Sequence, residues 1–161
     1  MSLPLTIKET LAGLKEKKFS ASEIVKEYLE RIKKYDIYDY DKGINSFLTI
    51  TEEAAFEKAS RADEAIGSQG EVAFDRYPLL GVTVALKDLF STQGVRTTAG
   101  SKVLESYVPT YSATVVERLE KAGCILIGKT NCDAWAHGAS GENSDFGPTK
   151  NPWNKEFVPG G

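Results

Sequence analysis

The segment LLGVTVALKD, residues 79–88, sets two charges directly after an apolar run. A lysine at the mouth of a buried strand has two fates. Its stem lies along apolar surface while its ammonium reaches water, or its head is held away from water. In the second case burial disfavours the charged form, and the pKa falls from about 10.4 toward neutrality. A neutral amine can act as a general base, so Lys87 is the candidate catalytic residue. Asp88 complicates this, because a close carboxylate would keep the ammonium charged. The base role requires Asp88 to point elsewhere, which the alternation of side chains along a strand permits.

Two other patterns could carry chemistry. Residues 123–130, GCILIGKT, fit G-x-x-x-x-G-K-[ST]. A phosphate-cradling loop needs a strand before its first glycine, then an irregular loop and a helix. Here a helix precedes Gly123, and the inner residues read as a strand whose amides are committed to a sheet. The reading as a helix end followed by a strand is preferred. Cys132, Asp133 and His137 lie close together, but they lack the paired cysteines and histidines of zinc sites. The structural reading is preferred there too.

The elements that must position these residues follow from periodicity and caps. Thr6 with Glu9 and Ser20 with Glu23 form capping boxes. Behind the first, Ile7, Leu11 and Leu14 share a face. Behind the second, Ile24, Val25, Tyr28, Leu29 and Ile32 form the apolar stripe of a helix over about 21–34. Residues 35–47, YDIYDYDKGINSF, read as a loop. A third helix is predicted over 52–66, with Ala55, Ala59, Ala62 and Ile66 aligned and Gly67 as its stop. A polar loop follows, then a buried strand over 79–86. Ser112 is predicted to cap a helix through Ala122, with Val115, Val116, Leu119 and Ala122 inward and Gly123 at its end. CILI, residues 124–127, is a second buried strand closed by Gly128, and Thr130 or Asn131 caps a short helix around 132–136. Residues 138–161 form a Gly-, Ser-, Asn- and Pro-rich loop. Helix, strand, helix, strand in that order argues for an α/β sheet.

Composition narrows the function classes. The chain has 161 residues, 41% apolar and 27% charged, with net charge -3, so it can bury a real core and carries no basic field for nucleic acid. Residues 1–70 hold 24 of the 43 charges but only 4 of the 14 glycines, which makes the first part solvated helices and the second strands and tight loops. No apolar run approaches the ~18 residues of a membrane span, and the charged start is no secretory signal. Two cysteines fit a reducing cytoplasm.

The stretches ALKD, GVRTTAGS, YSATVV, GKTN, GENSDFGPTKNPW and VPGG, with the earlier INSFLTITEEA, together resemble the amidase signature family. Within that family the likeness is to the members that serve tRNA-dependent amidotransferases. The resemblance implies an α/β fold: N-terminal helices, then the first part of a mixed β-sheet with helices on both faces. It implies a Ser–cis-Ser–Lys amidase in which Lys87 is the base, a cis-serine relays the proton and a nucleophilic serine attacks the glutamine amide. Both serines are expected beyond Gly161. Residues 1–161 would then be the N-terminal portion of one amidase domain, with 1–70 helical and 71–161 strand and loop, inactive alone. Ser140 stands where the family places a serine close to the lysine; an ordinary loop serine is the alternative.

The resemblance further implies B and C partner subunits, glutamine, and misacylated Glu-tRNA or Asp-tRNA reached through the complex. It implies ATP and Mg used by a partner, no cofactor or metal in this chain, no membrane, and a cytoplasmic setting. Departures occur at Ala139, where the family usually has serine, at Gly141, often threonine, and at Cys132, Ala134 and His137. Two other readings stay open: an amidase-signature hydrolase of small amides, and a non-catalytic interaction module.

Overall fold

A computed structural model describes residues 6–36 and 43–161. The elements run α1 (Ile7–Lys15), α2 (Ala21–Tyr35), β1 (Phe47–Ile50), α3 (Glu52–Gln69), α4 (Val72–Arg76), β2 (Thr83–Lys87), α5 (Thr114–Lys121) and β3 (Ile125–Thr130). Short 3-10 turns form at Lys102–Leu104 and Ala134–Ala136. The α/β class expected from the sequence is the one observed. Of the tyrosine-and-aspartate tract, residues 37–42 lie outside the described residues.

The strands form one sheet in the order β1-β3-β2. β1 runs antiparallel to β3, with Thr49 opposite Lys129 and Ile50 opposite Gly128, and an irregularity between Phe47 and Thr49. β2 runs in the same direction as β3. The Ile125 N–H donates to Val82 O at one end, and the Asp88 N–H donates to Thr130 O at the other, at 2.8 and 2.9 Å. Residues 125–129 of the central strand are all buried. β2 is an edge strand with Ala85 exposed, so it is less buried than its apolar run predicts. Leu79–Gly81 form a turn before it, because Gly81 has φ +80 and the Leu80 N–H closes onto Tyr77 O. Gly128 does not end β3. It sits inside the strand, where an added Cβ would lie 2.6 Å from Thr49 O.

The chain divides into two compact units. The first comprises residues up to Glu30, Thr51–Val84 and Glu117–Ile127. Its core is apolar: Leu14, Ile24, Val25, Ala55, Ala59, Ala62, Phe74, Leu80 and Ile125 are all buried. Both capping boxes are present. Glu9 N–H donates to Thr6 Oγ1 and Glu23 N–H to Ser20 Oγ, at 3.1 and 3.0 Å, while each glutamate accepts from its cap's own N–H. The Asp63 carboxylate accepts from the Ala21 and Ser22 N–H groups, adding a fixed anion at the positive end of α2. Three expectations shift here. α1 buries Thr10, Gly13 and Leu14 and leaves Ile7 exposed. α3 passes through Gly67 and stops at Gly70, where φ turns to +60; a helical glycine costs about 1 kcal/mol but does not by itself end a helix. The polar loop after it holds the short α4, which buries Ala73 and Phe74.

The second unit comprises Arg31–Ile50, Ala85–Val116 and Gly128–Gly161. It buries Leu86, Val116, Cys132 and Phe146 but also Asp88, Thr92, Thr97, Thr98, Ser101, Lys129 and Asp133. Ser112 is no helix cap; its Oγ accepts from the Gln93 N–H, and α5 begins at Thr114. Val115 is exposed while Val116 is buried. The helix expected around 132–136 is a 3-10 turn bent by positive φ at Trp135 and Ala136. Residues 138–161 contain no helix or strand.

Candidate functional site

Lys87 is the last residue of β2 and is half-buried. Among the described residues it makes no ion pair. The reason lies in its neighbour. Asp88 is fully buried and turns away, with Oδ1 3.2 Å from the Lys129 ammonium. Its other oxygen, Oδ2, accepts from the Thr98 N–H at 2.7 Å and from the Thr98 hydroxyl at 2.5 Å. The condition set by the sequence, that Asp88 point elsewhere, is therefore met.

Lys129 is the residue that sequence reasoning missed. It lies on β3 inside the GCILIGKT pattern and is 0% exposed. Its Nζ donates to Phe90 O at 2.9 Å and Thr97 Oγ1 at 2.7 Å, and it stands 3.2 Å from Asp88 Oδ1 as an ion pair. Burial pulls its pKa below the usual lysine value, while the Asp88 charge pushes it back up. A signal existed: a lysine following an unbroken apolar run is almost never buried without a partner. The Thr97 hydroxyl donates onward to Val95 O, and the Thr98 hydroxyl accepts from the Gly100 N–H. The whole 90–100 segment is thereby fastened over the strand ends. Gly100 closes that segment at φ +70, where a Cβ would lie 2.4 Å from Cys132 O.

Asp133 organises the loop that carries Ser140. Its Oδ2 accepts from the Gly141 N–H and its Oδ1 from the Asn143 N–H, both at 2.9 Å. These bonds, first that from Asn143, hold its pKa below the ordinary aspartate value; the Ser140 N–H and the Lys87 charge act in the same direction. Gly138 packs directly on the carboxylate, with no room for a Cβ. Ser140 is half-buried at the turn of this loop. No hydrogen bond joins it to Lys87 among the described residues. Asp133 is what relates them, since it feels the Lys87 charge and accepts from the Gly141 N–H, directly after Ser140.

Of the set-aside cluster, His137 is exposed and Cys132 is buried. No group of three potential metal ligands occurs among the described residues. Burial raises the Cys132 and Cys124 thiols above their ordinary value of 9.0, with Asp88 adding to the effect on Cys132. A thiol whose folded pKa is raised contributes stability that is complete below pH 9.0 and is lost as the pH climbs through the folded value. The urea midpoint is therefore expected to fall between about pH 8 and pH 10, by less in the Cys124→Ser/Cys132→Ser variant. An equal alkaline loss in both proteins would exclude the thiols as its source.

Fold and polar cluster together define a class: an α/β protein with a half-buried strand-end lysine and a serine- and glycine-rich loop pinned by a buried aspartate. Residues 23–161 match the family model described as Amidase, and the chain belongs to the amidase signature family. It is 45% identical over 159 residues to the A subunit of glutamyl-tRNA(Gln) amidotransferase from Hahella chejuensis, covering 99% of this chain and 31% of the relative. It is 48% identical over 157 residues to the protein of the same name from Saccharophagus degradans, covering 98% and 30%. The crystal structure of the Thermotoga maritima counterpart superposes with a TM-score of 0.71 at 31% identity, covering 100% of this chain and 31% of the other. The chain thus spans less than a third of the length of these relatives.

Proposed function

We propose that this chain is the lysine-bearing part of the glutaminase component of a tRNA-dependent amidotransferase. It would act with B and C partner subunits in the cytoplasm, and the partner would use ATP and Mg. The reaction frees ammonia from glutamine and passes it to Glu-tRNA(Gln) or Asp-tRNA(Asn). The observation that carries this reading is the division of labour between two adjacent residues. Asp88 is committed to Lys129, and Lys87 at the strand end forms no ion pair among the described residues. Identity of 45% and 48% to glutamyl-tRNA(Gln) amidotransferase relatives over nearly the whole chain gives the reaction class its support.

An amide is a poor acylating agent, so a serine that attacks it needs a base and an oxyanion site. Lys87, once neutral, takes the proton from the serine relay and returns it to the leaving ammonia. Ser140 supports this site from the loop on Asp133 without attacking. No helix of the described chain is long and apolar enough to cross a membrane, which is compatible with a complex that handles tRNA. The test is ammonia release from glutamine by the full-length protein, coupled to amidation of Glu-tRNA(Gln) when B and C subunits are added. Hydrolysis of small amides with no response to those subunits would favour a free-standing amidase instead.

A further inference from the structure

We propose that Lys129 is a positioning residue for Lys87: by binding Asp88 it keeps that carboxylate off the strand-end ammonium. The inference rests on the reading of Lys87 as the base. The two lysines stand on neighbouring strands, and Asp88 follows Lys87 directly in the chain. A carboxylate at that position, if it turned toward Lys87, would pair with it and hold it protonated. Instead, Lys129 enters from β3, is fully buried, stands 3.2 Å from Asp88 Oδ1 as its ion-pair partner, and donates to Phe90 O and Thr97 Oγ1. Thr98 takes the other side of Asp88 with two hydrogen bonds. Asp88 is thus fixed from both sides in a direction that Lys87 does not share.

The charged and titratable groups bearing on Lys87 are Asp88 in its own turn, Lys129 on β3, and Cys132 and Asp133 in the segment after β3. Cys132 is held as the neutral thiol. Asp133 shares its charge with backbone N–H donors. Asp88 is therefore the carboxylate next to Lys87 in the chain that a change of direction could bring onto it, and Lys129 together with Thr98 holds it turned away.

Two readouts on the full-length protein test this: the pH profile of kcat/KM for glutamine hydrolysis, and the titration of 13Cε-labelled lysines. In Lys129→Met, Asp88 is left without its cation, and Lys87 should titrate about one pH unit higher. The rate on the acid limb then falls about tenfold at fixed pH. Asp88→Asn should leave the Lys87 titration within a few tenths of a unit of wild type. Lys129→Met/Asp88→Asn, which removes both charges together, should restore the wild-type titration. Were Lys129→Met to fail to fold, Asp88→Asn and the double variant decide. A wild-type Lys87 titration in Lys129→Met overturns the proposal. So does a drop of a unit or more in Asp88→Asn, which would mean that Asp88 faces Lys87 after all. A Lys87 titration that moves while the rate profile does not would sustain the positioning role and remove Lys87 as the base.

Discussion

In the full-length protein, Lys87→Arg should lower glutamine hydrolysis by about 10⁴- to 10⁶-fold, the range seen when a member of a hydrolytic triad is removed. Arginine keeps the positive charge and most of the stem, but it cannot give up a proton in a protein. The substitution therefore separates base from electrostatic anchor. Lys87 is half-buried at the end of an edge strand and forms no ion pair among the described residues, so the exchange should leave the fold intact. Circular dichroism and urea midpoint are expected to match wild type within about 0.5 kcal/mol, as for substitutions that break no packing or buried pair. Lys87→Ala should be as inactive as Lys87→Arg. An arginine variant with near-wild-type turnover would make Lys87 a structural or electrostatic residue and would return the search for a base to the rest of the site.

The helical half of the chain is legible in the sequence because its signals are local. The Ser20–Glu23 capping box and the stripe from Ile24 to Leu29 place α2 within one residue of its observed end at Tyr35. β1 is not legible in that way, because Phe47–Ile50 is a strand through its pairing with β3. The short α4 is similar, held by burial of Ala73 and Phe74 more than by propensity. Glycines mislead in opposite ways. Gly67 and Gly128 read as stops but lie inside elements, while Gly70 and Gly81 do the turning, at positive φ.

At the site, Lys87 stands out by its place after an apolar run, and the requirement on Asp88 follows from charge alone. What satisfies that requirement is hidden, because Lys129 lies far along the chain inside a segment that mimics a phosphate loop. The strand reading of that segment is the one observed, with residues 125–130 in β3. Once the segment is a strand, its lysine needs a buried partner, and that step leads to Asp88.

Asp133, which the sequence presents only as a metal-ligand candidate beside a thiol, has a larger part in the structure. Asp133→Ala should cost about 3 kcal/mol and lower glutamine hydrolysis in the full-length protein by about 10²-fold. The stability cost follows from the Gly141 and Asn143 N–H groups, which lose their acceptor at 2.9 Å; each donor left without a partner costs about 1–3 kcal/mol where it stays buried. The activity loss follows from geometry, since a loop that shifts Ser140 by about 1 Å can slow a positioned reaction 10²-fold. Asp133→Asn should fall between, because its amide offers one acceptor oxygen where the carboxylate offers two. Acid should imitate the substitution. A carboxylate whose folded pKa is lowered contributes stability that is present above its unfolded pKa and is lost as the pH falls through the folded value. For Asp133 the unfolded value is 3.8 and the folded one lies below it. The stability gap between wild type and Asp133→Ala should therefore be constant above about pH 5 and close as the pH drops below 3.8. Urea midpoints of both proteins from about pH 7 to pH 3 measure this. A gap that persists unchanged in acid would mean that Asp133 contributes packing and not its charge. Unaltered kcat in Asp133→Ala would detach the Ser140 loop from catalysis.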